Sequence, residues 1–198
     1  MSAGALAKAG LSMPTHLALP LVALLAVLVM MLAELWLSAS NERVLRAHGA
    51  READDPVFVM MRLAYPGVFV AMAIEGAITG VEPGPMTFAG VSLMFAAKAL
   101  KFWAIASLGT RWTYKVLVVP GLPLVTTGPY RWFRHPNYIG VVGELVAMAL
   151  MTRARVTGPL GTVFFGWLLL RRMAAEERAM ELYSRQGGPE GPPLRTGT

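Results

Sequence analysis

The sequence predicts an all-α protein, a polytopic membrane helical bundle of about five transmembrane helices. Three observations carry this expectation. Apolar residues make up 55% of the 198 positions and charged residues only 15%, against the roughly 25% charge of an average soluble domain. The mean hydropathy is +0.51. The apolar residues also gather in blocks separated by basic or Gly/Pro-rich connections.

The first block, Leu17 to Leu37, contains one acid, Glu34. Lys8 before it and Ser38-Ala39-Ser40 after it give it the look of a signal peptide. Its length and the spans that follow favour a retained anchor. The second block, Val57 to Ile78, has Arg62 and Glu75 near its ends and Pro66-Gly67 in its middle, where a break in the helix is expected. The third, Met86 to Leu108, stays apolar as far as Lys98 and Lys101, which are expected to reach the cytoplasmic headgroups. Each block approaches the ~20 residues that cross a ~30 Å hydrocarbon core. Ile139 to Met151 and Val156 to Leu170 are shorter and are joined by Thr152-Arg153-Ala154-Arg155. They read as a closely paired helical hairpin.

Orientation follows from the loops. Arg43, Arg46 and Arg51 lie between the first two spans, and Arg111, Lys115, Arg131 and Arg134 between the third and fourth. The connection Thr79 to Pro85 has no Lys or Arg. The positive-inside rule puts both basic loops and Arg171 to Arg172 in the cytoplasm, and the N-terminus outside. Arg153 and Arg155 then fall on the opposite side, where they snorkel to the far headgroups.

Several functions are excluded or disfavoured. There is no cysteine, hence no disulfide, thiolate metal site or cysteine nucleophile. The pI near 10.1 reflects basic residues spread over loops as orientation signals rather than a nucleic-acid patch. His16, His48 and His135 are far apart in sequence and span order, so no metal site is expected. Transport is disfavoured because no charged pair is expected at mid-depth. Glu144, costly in lipid, is expected to face protein and to pair with an arginine or border a pocket. Glu75 is open to a structural or a functional role.

One stretch is unlike membrane filler. Gly121 to Gly140 interrupts regular helix with prolines and glycines and gathers Tyr130, Arg131, Trp132, Arg134, His135, Asn137 and Tyr138 just before a span. An interfacial aromatic-and-basic belt accounts for that composition equally well, but Pro136-Asn137 adds a fixed bend that a belt does not require. A second feature is Arg171-Arg172-Met-Ala-Ala-Glu176-Glu177, in which Arg172 and Glu176 share a helix face. Taken alone, it reads as ordinary ion pairing at a solvated helix end. The hairpin returns both features to one membrane face, so that His135 and Glu176 can line one pocket.

At these residues the chain resembles a known family. Gly128-Pro-Tyr-Arg-Trp-Phe-Arg-His-Pro-Asn-Tyr-Ile-Gly140, followed after the hairpin by Glu176-Glu177, is similar to the integral-membrane isoprenylcysteine carboxyl methyltransferases and their bacterial relatives. The resemblance runs over about residues 105–183. It implies S-adenosyl-L-methionine as cofactor, bound by Tyr130, Arg134, His135, Pro136, Asn137, Tyr138 and Glu176 with Glu177 beside them. It also implies a catalytic set of Arg172, Glu176 and Arg171, with Arg172 facing the acceptor.

After the acids this chain has Met180-Glu-Leu-Tyr183 where family members often carry Phe-Gly-x-x-Tyr-x-x-Tyr. The implied acceptor is therefore a lipophilic molecule with an acidic oxygen, either a carboxylate of prenylcysteine type or the phenol or enol of a lipid. A phenol or enol would need a base, for which His135 and Glu177 are candidates. The related sterol reductases, which bind a nicotinamide cofactor, share an Arg-His-x-Asn-Tyr element and supply an alternative; a non-enzymatic membrane scaffold supplies another.

The chain thus divides into an N-terminal segment (1–16), three spans (17–108), a loop, hairpin and catalytic segment (109–183) and a disordered tail (184–198). The implied location is a bacterial inner membrane, with the site on the cytoplasmic side. Membrane lipids and a lipophilic acceptor are the expected partners, and no nucleic acid or metal.

Overall fold

A computed structural model describes residues 15–119 and 122–186. The terminal segment 1–14 and the part of the expected tail from 187 onward lie outside the described residues. Five helices form the described chain: α1 (Thr15–Ala47), α2 (Phe58–Thr79), α3 (Pro85–Leu108), α4 (Pro136–Thr152) and α5 (Thr157–Gln186). Three are long and apolar enough to cross a membrane, over Leu17–Ala47, Phe58–Thr79 and Pro85–Arg111, and Pro136–Thr152 is a shorter apolar helix. Large apolar side chains such as Leu25, Phe95 and Val163 cover the outside of the bundle. That is the inverse of a water-soluble surface, and the protein is an integral membrane protein.

Two expectations about the helices are corrected. Helix α2 runs unbroken through Pro66, since backbone groups freed in lipid have no water to turn to and the helix holds on both sides of the proline. The last arm of the hairpin is not short. Helix α5 has 30 residues, ~45 Å at 1.5 Å per residue, and carries Arg171 to Glu177 on a continuous helix rather than a separate segment.

The hairpin is also not simply paired with itself. Its arms meet near the turn, where a Cβ on Gly158 would come within 2.7 Å of Ala149 Cβ, but α4 makes its most extensive contact with α3. Glycines permit that approach. A Cβ at Gly90 would lie 2.8 Å from the Ala147 carbonyl oxygen, and one at Gly140 would lie 3.0 Å from Lys101 Cβ. Small residues at a crossing let backbones close in where lipid supplies no hydrophobic drive. The core between the helices is built on Phe69, Met72, Leu145, Met148 and Leu168, all fully buried.

The expected position of Lys98 and Lys101 at the headgroups is overturned, and so is the expected absence of mid-depth charge pairs. Both lysines turn into the bundle. Lys98 Nζ lies 3.2 Å from Glu34 and 3.0 Å from Glu144, and Lys101 Nζ lies 2.7 Å and 3.3 Å from the same two acids. Tyr65 donates to Glu144 at 2.6 Å and Tyr114 to Glu34 at 3.0 Å. Glu144 does face protein, but its partners are lysines rather than an arginine. A charge costly in lipid is tolerated when opposite charges surround it; here the ions come from α1, α3 and α4, and α2 adds the Tyr65 hydroxyl. At the other end of α2, Glu75 has a structural role. It accepts from the Val156 and Thr157 amides at 3.0 and 2.7 Å and from the Thr157 hydroxyl, capping the start of α5.

The two basic loops are sewn together by a two-residue antiparallel ladder, β1 (Arg51–Glu52) with β2 (Leu117–Val118), in the register Arg51 opposite Val118. Lys115 and Arg46 both pair with Glu52. This seam brings the loop before α2 against the middle of α5, where Asp55 meets Arg172.

Candidate active site

The site stands on the turn that starts α4. Pro136 occupies the first helical position, where a missing N–H costs nothing and φ is already helical. That start places His135, Asn137 and Tyr138 on one turn. Ahead of it, a 3₁₀ turn over Gly128–Arg131 sets Tyr130 and buries Pro129. Gly128 has φ +60° and presses on Ser107 of α3, so no larger residue fits there.

From α5, Arg172 turns inward and is 7% exposed. Its Nε donates to the Tyr138 hydroxyl at 3.0 Å and to Glu176 Oε1 at 3.2 Å. Its Nη2 donates to the Tyr114 carbonyl, and its Nη1 lies 3.0 Å from Asp55 Oδ2. The Tyr138 hydroxyl donates to Glu176. Tyr114 is itself held by α1, its amide donating to Ser38 at 2.8 Å and its hydroxyl to Glu34. The buried lysine–glutamate quartet is therefore tied to Arg172 through one tyrosine.

His135 stacks on Tyr138 with centroids 5.6 Å apart and planes 16° from parallel. Its Nδ1 lies 3.9 Å from Glu176 and its Nε2 3.6 Å from Glu177. Arg134, largely exposed, pairs with Glu177 at 3.3 Å. Locally, two arginines, Arg134 and Arg172, face three carboxylates, Asp55, Glu176 and Glu177. Arg111 and Lys115, the latter paired with Glu52, add two further cations beside them.

Beside this cluster is a cavity of about 430 Å³. Tyr130, Arg134, His135, Asn137, Tyr138 and Glu176 form its polar wall, and Leu108, Val116, Leu117, Leu124 and Val125 contribute an apolar one. His135 Nε2 and Asn137 Oδ1 are buried and have no hydrogen-bond partner. Such atoms are costly to leave unsatisfied, and both belong to residues on the wall of a space that a polar ligand can fill. Burial and the nearby Glu176 charge push the Tyr130 phenol up to about 12, so it stays a neutral donor. Burial and Glu34 raise the Tyr114 phenol as well.

The residues singled out from sequence are placed unequally. Tyr130, Arg134, His135, Asn137, Tyr138 and Glu176 are brought to the cavity. Pro136 contributes backbone shape, and Glu177 sits at the rim. Arg172 is behind the wall, bonded to Tyr138 and Glu176. Arg171 does not join them: it is exposed, with its guanidinium 5.6 Å over the outer Trp167 ring, because adjacent helical residues point ~100° apart. The catalytic role expected of Arg171 has no support in this placement. Sequence reasoning missed Asp55 and Tyr114. The only signal for Asp55 was an acidic pair, Asp54-Asp55, inside an otherwise basic loop; nothing local marked Tyr114, whose carbonyl does the work.

Comparison with known proteins agrees with this architecture. Residues 90–182 match the isoprenylcysteine carboxyl methyltransferase (ICMT) family. An uncharacterized protein, YpbQ, of Bacillus subtilis is 32% identical over 165 residues, covering 81% of this chain and 96% of the relative. An uncharacterized protein of Haemophilus influenzae is 26% identical over 145 residues, 73% of this chain and 84% of its own. No solved structure matches.

Proposed function

From the premise that the chain belongs to the isoprenylcysteine carboxyl methyltransferase family, which suggests a membrane methyltransferase and implies S-adenosylmethionine use, we propose an S-adenosylmethionine-dependent O-methyltransferase. Its acceptor is a lipophilic molecule carrying an acidic oxygen, and its cofactor site faces the cytoplasm. The observation that carries this reading is the pair of unpartnered buried atoms, His135 Nε2 and Asn137 Oδ1, belonging to residues that line the 430 Å³ cavity.

The residues present fit the cofactor. Tyr130, His135, Asn137 and Glu176 offer donors and acceptors to an amino-acid and ribose portion, and the apolar wall suits an adenine. Glu176, the one acid on the cavity wall, suits the cationic end of such a ligand. When bound, S-adenosylmethionine supplies an electrophilic methyl group on a cationic sulfur.

The chain's own contribution is to hold the acceptor oxygen. Arg172 is the only buried guanidinium in the cluster, and its rigid fork is fixed by Tyr138, Glu176, the Tyr114 carbonyl and Asp55, so an acceptor oxygen would share the donor that faces Asp55. Holding reacting groups in line is worth ~7–11 kcal/mol in favourable cases. The donor that faces Asp55 gives a criterion for the acceptor. A carboxylate acceptor would meet the Asp55 charge, whereas a phenol or enol can bond to it and pass it a proton, with His135 and Glu177 as other bases. This favours the phenolic or enolic lipid over the prenylcysteine carboxylate. A greasy acceptor enters sideways from the bilayer while the cofactor enters from water. The excess of arginine in the loops on the site's side supports a cytoplasmic orientation.

Calorimetric titration of the detergent-purified protein with S-adenosylhomocysteine, with NADPH as control and His135→Ala in parallel, tests the reading. Binding of the first ligand, weakened in the variant, is expected. Binding of NADPH in its place would move the protein to the nicotinamide-dependent reductases, and binding of neither by folded protein would remove the enzyme assignment.

A further inference from the structure

The far end of the bundle carries a second, larger cavity that the methyltransferase reading does not use. It is about 730 Å³ and lies where the start of α3, the end of α4 and the start of α5 meet. Its floor is apolar, from Val146, Ala149, Leu150 and Val163, and Val163 is largely exposed. Arg153 and Arg155 also line it. These are the two arginines that contradict the charge bias of the loops.

Three observations say what belongs there. First, neither guanidinium makes an ion pair or a hydrogen bond to a side chain among the described residues. Glu75 is spent on the Val156 and Thr157 amides, and Glu82 in the α2–α3 loop is exposed and pairs with neither arginine. Second, Arg153 is the only described non-glycine residue with positive φ, at +50°. Glycine or asparagine would fit that left-handed position at lower cost. An arginine stands there instead, with its Nη2 3.0 Å from where a Cβ on Gly84 would be. Third, α4 has 17 residues, ~25 Å of helix, so its two ends lie at opposite boundaries of a ~30 Å core. The arginines therefore stand at headgroup level and the apolar floor at acyl-chain level.

We infer that this groove is a binding site for an anionic phospholipid of the leaflet opposite the cofactor cavity. Arg153 and Arg155 hold the phosphate, and an acyl chain lies along α4 and α5. Charge complementarity selects the occupant, since the phosphate of a zwitterionic lipid is already balanced by its own ammonium and an uncharged lipid has none, so either leaves the two arginines without net compensation at a low-dielectric boundary. The inference is independent of the methyltransferase reading.

The test uses full-length protein in detergent exposed to equal amounts of phosphatidylglycerol and phosphatidylcholine with the same acyl chains, with retained lipid read by native mass spectrometry. Wild-type protein is expected to retain phosphatidylglycerol about tenfold over phosphatidylcholine. Arg153→Asn/Arg155→Gln, whose asparagine suits the left-handed position, is expected to bring the ratio to about one. Arg155→Gln alone, at an exposed site, covers the case in which the double variant misfolds and is expected to lower the ratio partway. Arg43→Gln, at the other end of the bundle, is expected to leave it unchanged. Equal retention of both lipids by the wild type, or a preference that survives in folded arginine variants, would overturn the site. So would competition by glycerol phosphate as strong as that by intact phosphatidylglycerol, since the groove would then contribute nothing.

Discussion

Two clusters of buried charge occupy this bundle, and they differ in closure. Around Glu34, Lys98, Lys101 and Glu144, two acids meet two lysines and each acid touches both cations. The charges cancel, and the one buried oxygen there without a hydrogen bond, Glu144 Oε1, still lies 3.3 Å from the Lys101 ammonium. Around Arg172, two arginines face three acids, two neighbouring polar atoms have no partner, and a cavity adjoins the group. Membrane burial makes every unsatisfied group expensive. The closed cluster is therefore read as the tie that holds α1 to α4 in register, and the open one as a site waiting for a ligand. Tyr114 joins the two, offering its hydroxyl to the first and its carbonyl to the second.

The largest expected effect breaks the closed cluster. Glu144→Ala leaves two lysines for one acid, and removing one partner of a buried ion pair costs about 3–5 kcal/mol; thermal unfolding in detergent followed by circular dichroism should register it. Glu144→Leu combined with Lys98→Met restores charge balance and should recover most of that loss. If the double variant were as unstable as Glu144→Ala, the cluster would not be acting through charge balance.

Next comes the open cluster, where the expected pattern reverses. His135→Ala and Asn137→Ala each remove an atom that is unpartnered in the protein alone, so melting temperature should hardly move. Affinity for S-adenosylhomocysteine should fall about tenfold, the worth of one buried hydrogen bond. A large drop in melting temperature with unchanged affinity would make these residues structural.

Asp55→Asn lies between the two. It keeps the shape and removes the anion facing Arg172. For a phenolic acceptor, turnover should fall with little change in cofactor affinity; for a carboxylate acceptor, KM should fall instead, since a competing charge has gone. The two acceptor classes are separated by that split.

The pH dependence of the loops should be small. The Tyr130 phenol, raised to about 12, remains protonated across pH 7 to 10, so it should add nothing to the pH dependence of ligand affinity there; a fall that Tyr130→Phe abolishes would contradict it. Hydrogen bonds from Lys115 and Arg46 hold the Glu52 carboxyl below its usual range. A depressed carboxylate pKa stabilises the fold above the unfolded value, and that stability is lost as pH falls through the folded one. Because Glu52 is exposed, Glu52→Gln should lower the melting temperature only slightly, and high salt should erase the difference.

Much of the molecule was legible in the chain. Runs such as Leu17 to Leu37 announce a span because the bilayer demands an unbroken apolar stretch. Proline at 136 announces a helix start with His135, Asn137 and Tyr138 around it. The errors share a cause. Lys98 and Lys101 are expected at the headgroups because a long cationic side chain near a span end ordinarily snorkels, and only the presence of Glu34 and Glu144 on other helices turns them inward. The proline in α2 predicts a break because in water it would make one. Arg171 and Arg172 were inseparable in sequence, since the direction of a helix face depends on what the helix packs against.

What the sequence by itself determined is therefore local and solvent-driven: which segments enter lipid, where helices begin, and which stretch is too irregular and polar to be mere span. Tertiary structure decided the pairings. Asp55 with Arg172, Tyr114 with both charge clusters, and Glu75 with the start of α5 join residues at least 58 positions apart through a few contacts each. The energy of a buried charge depends on the ions within a few ångströms of it, and chain order does not say which those will be.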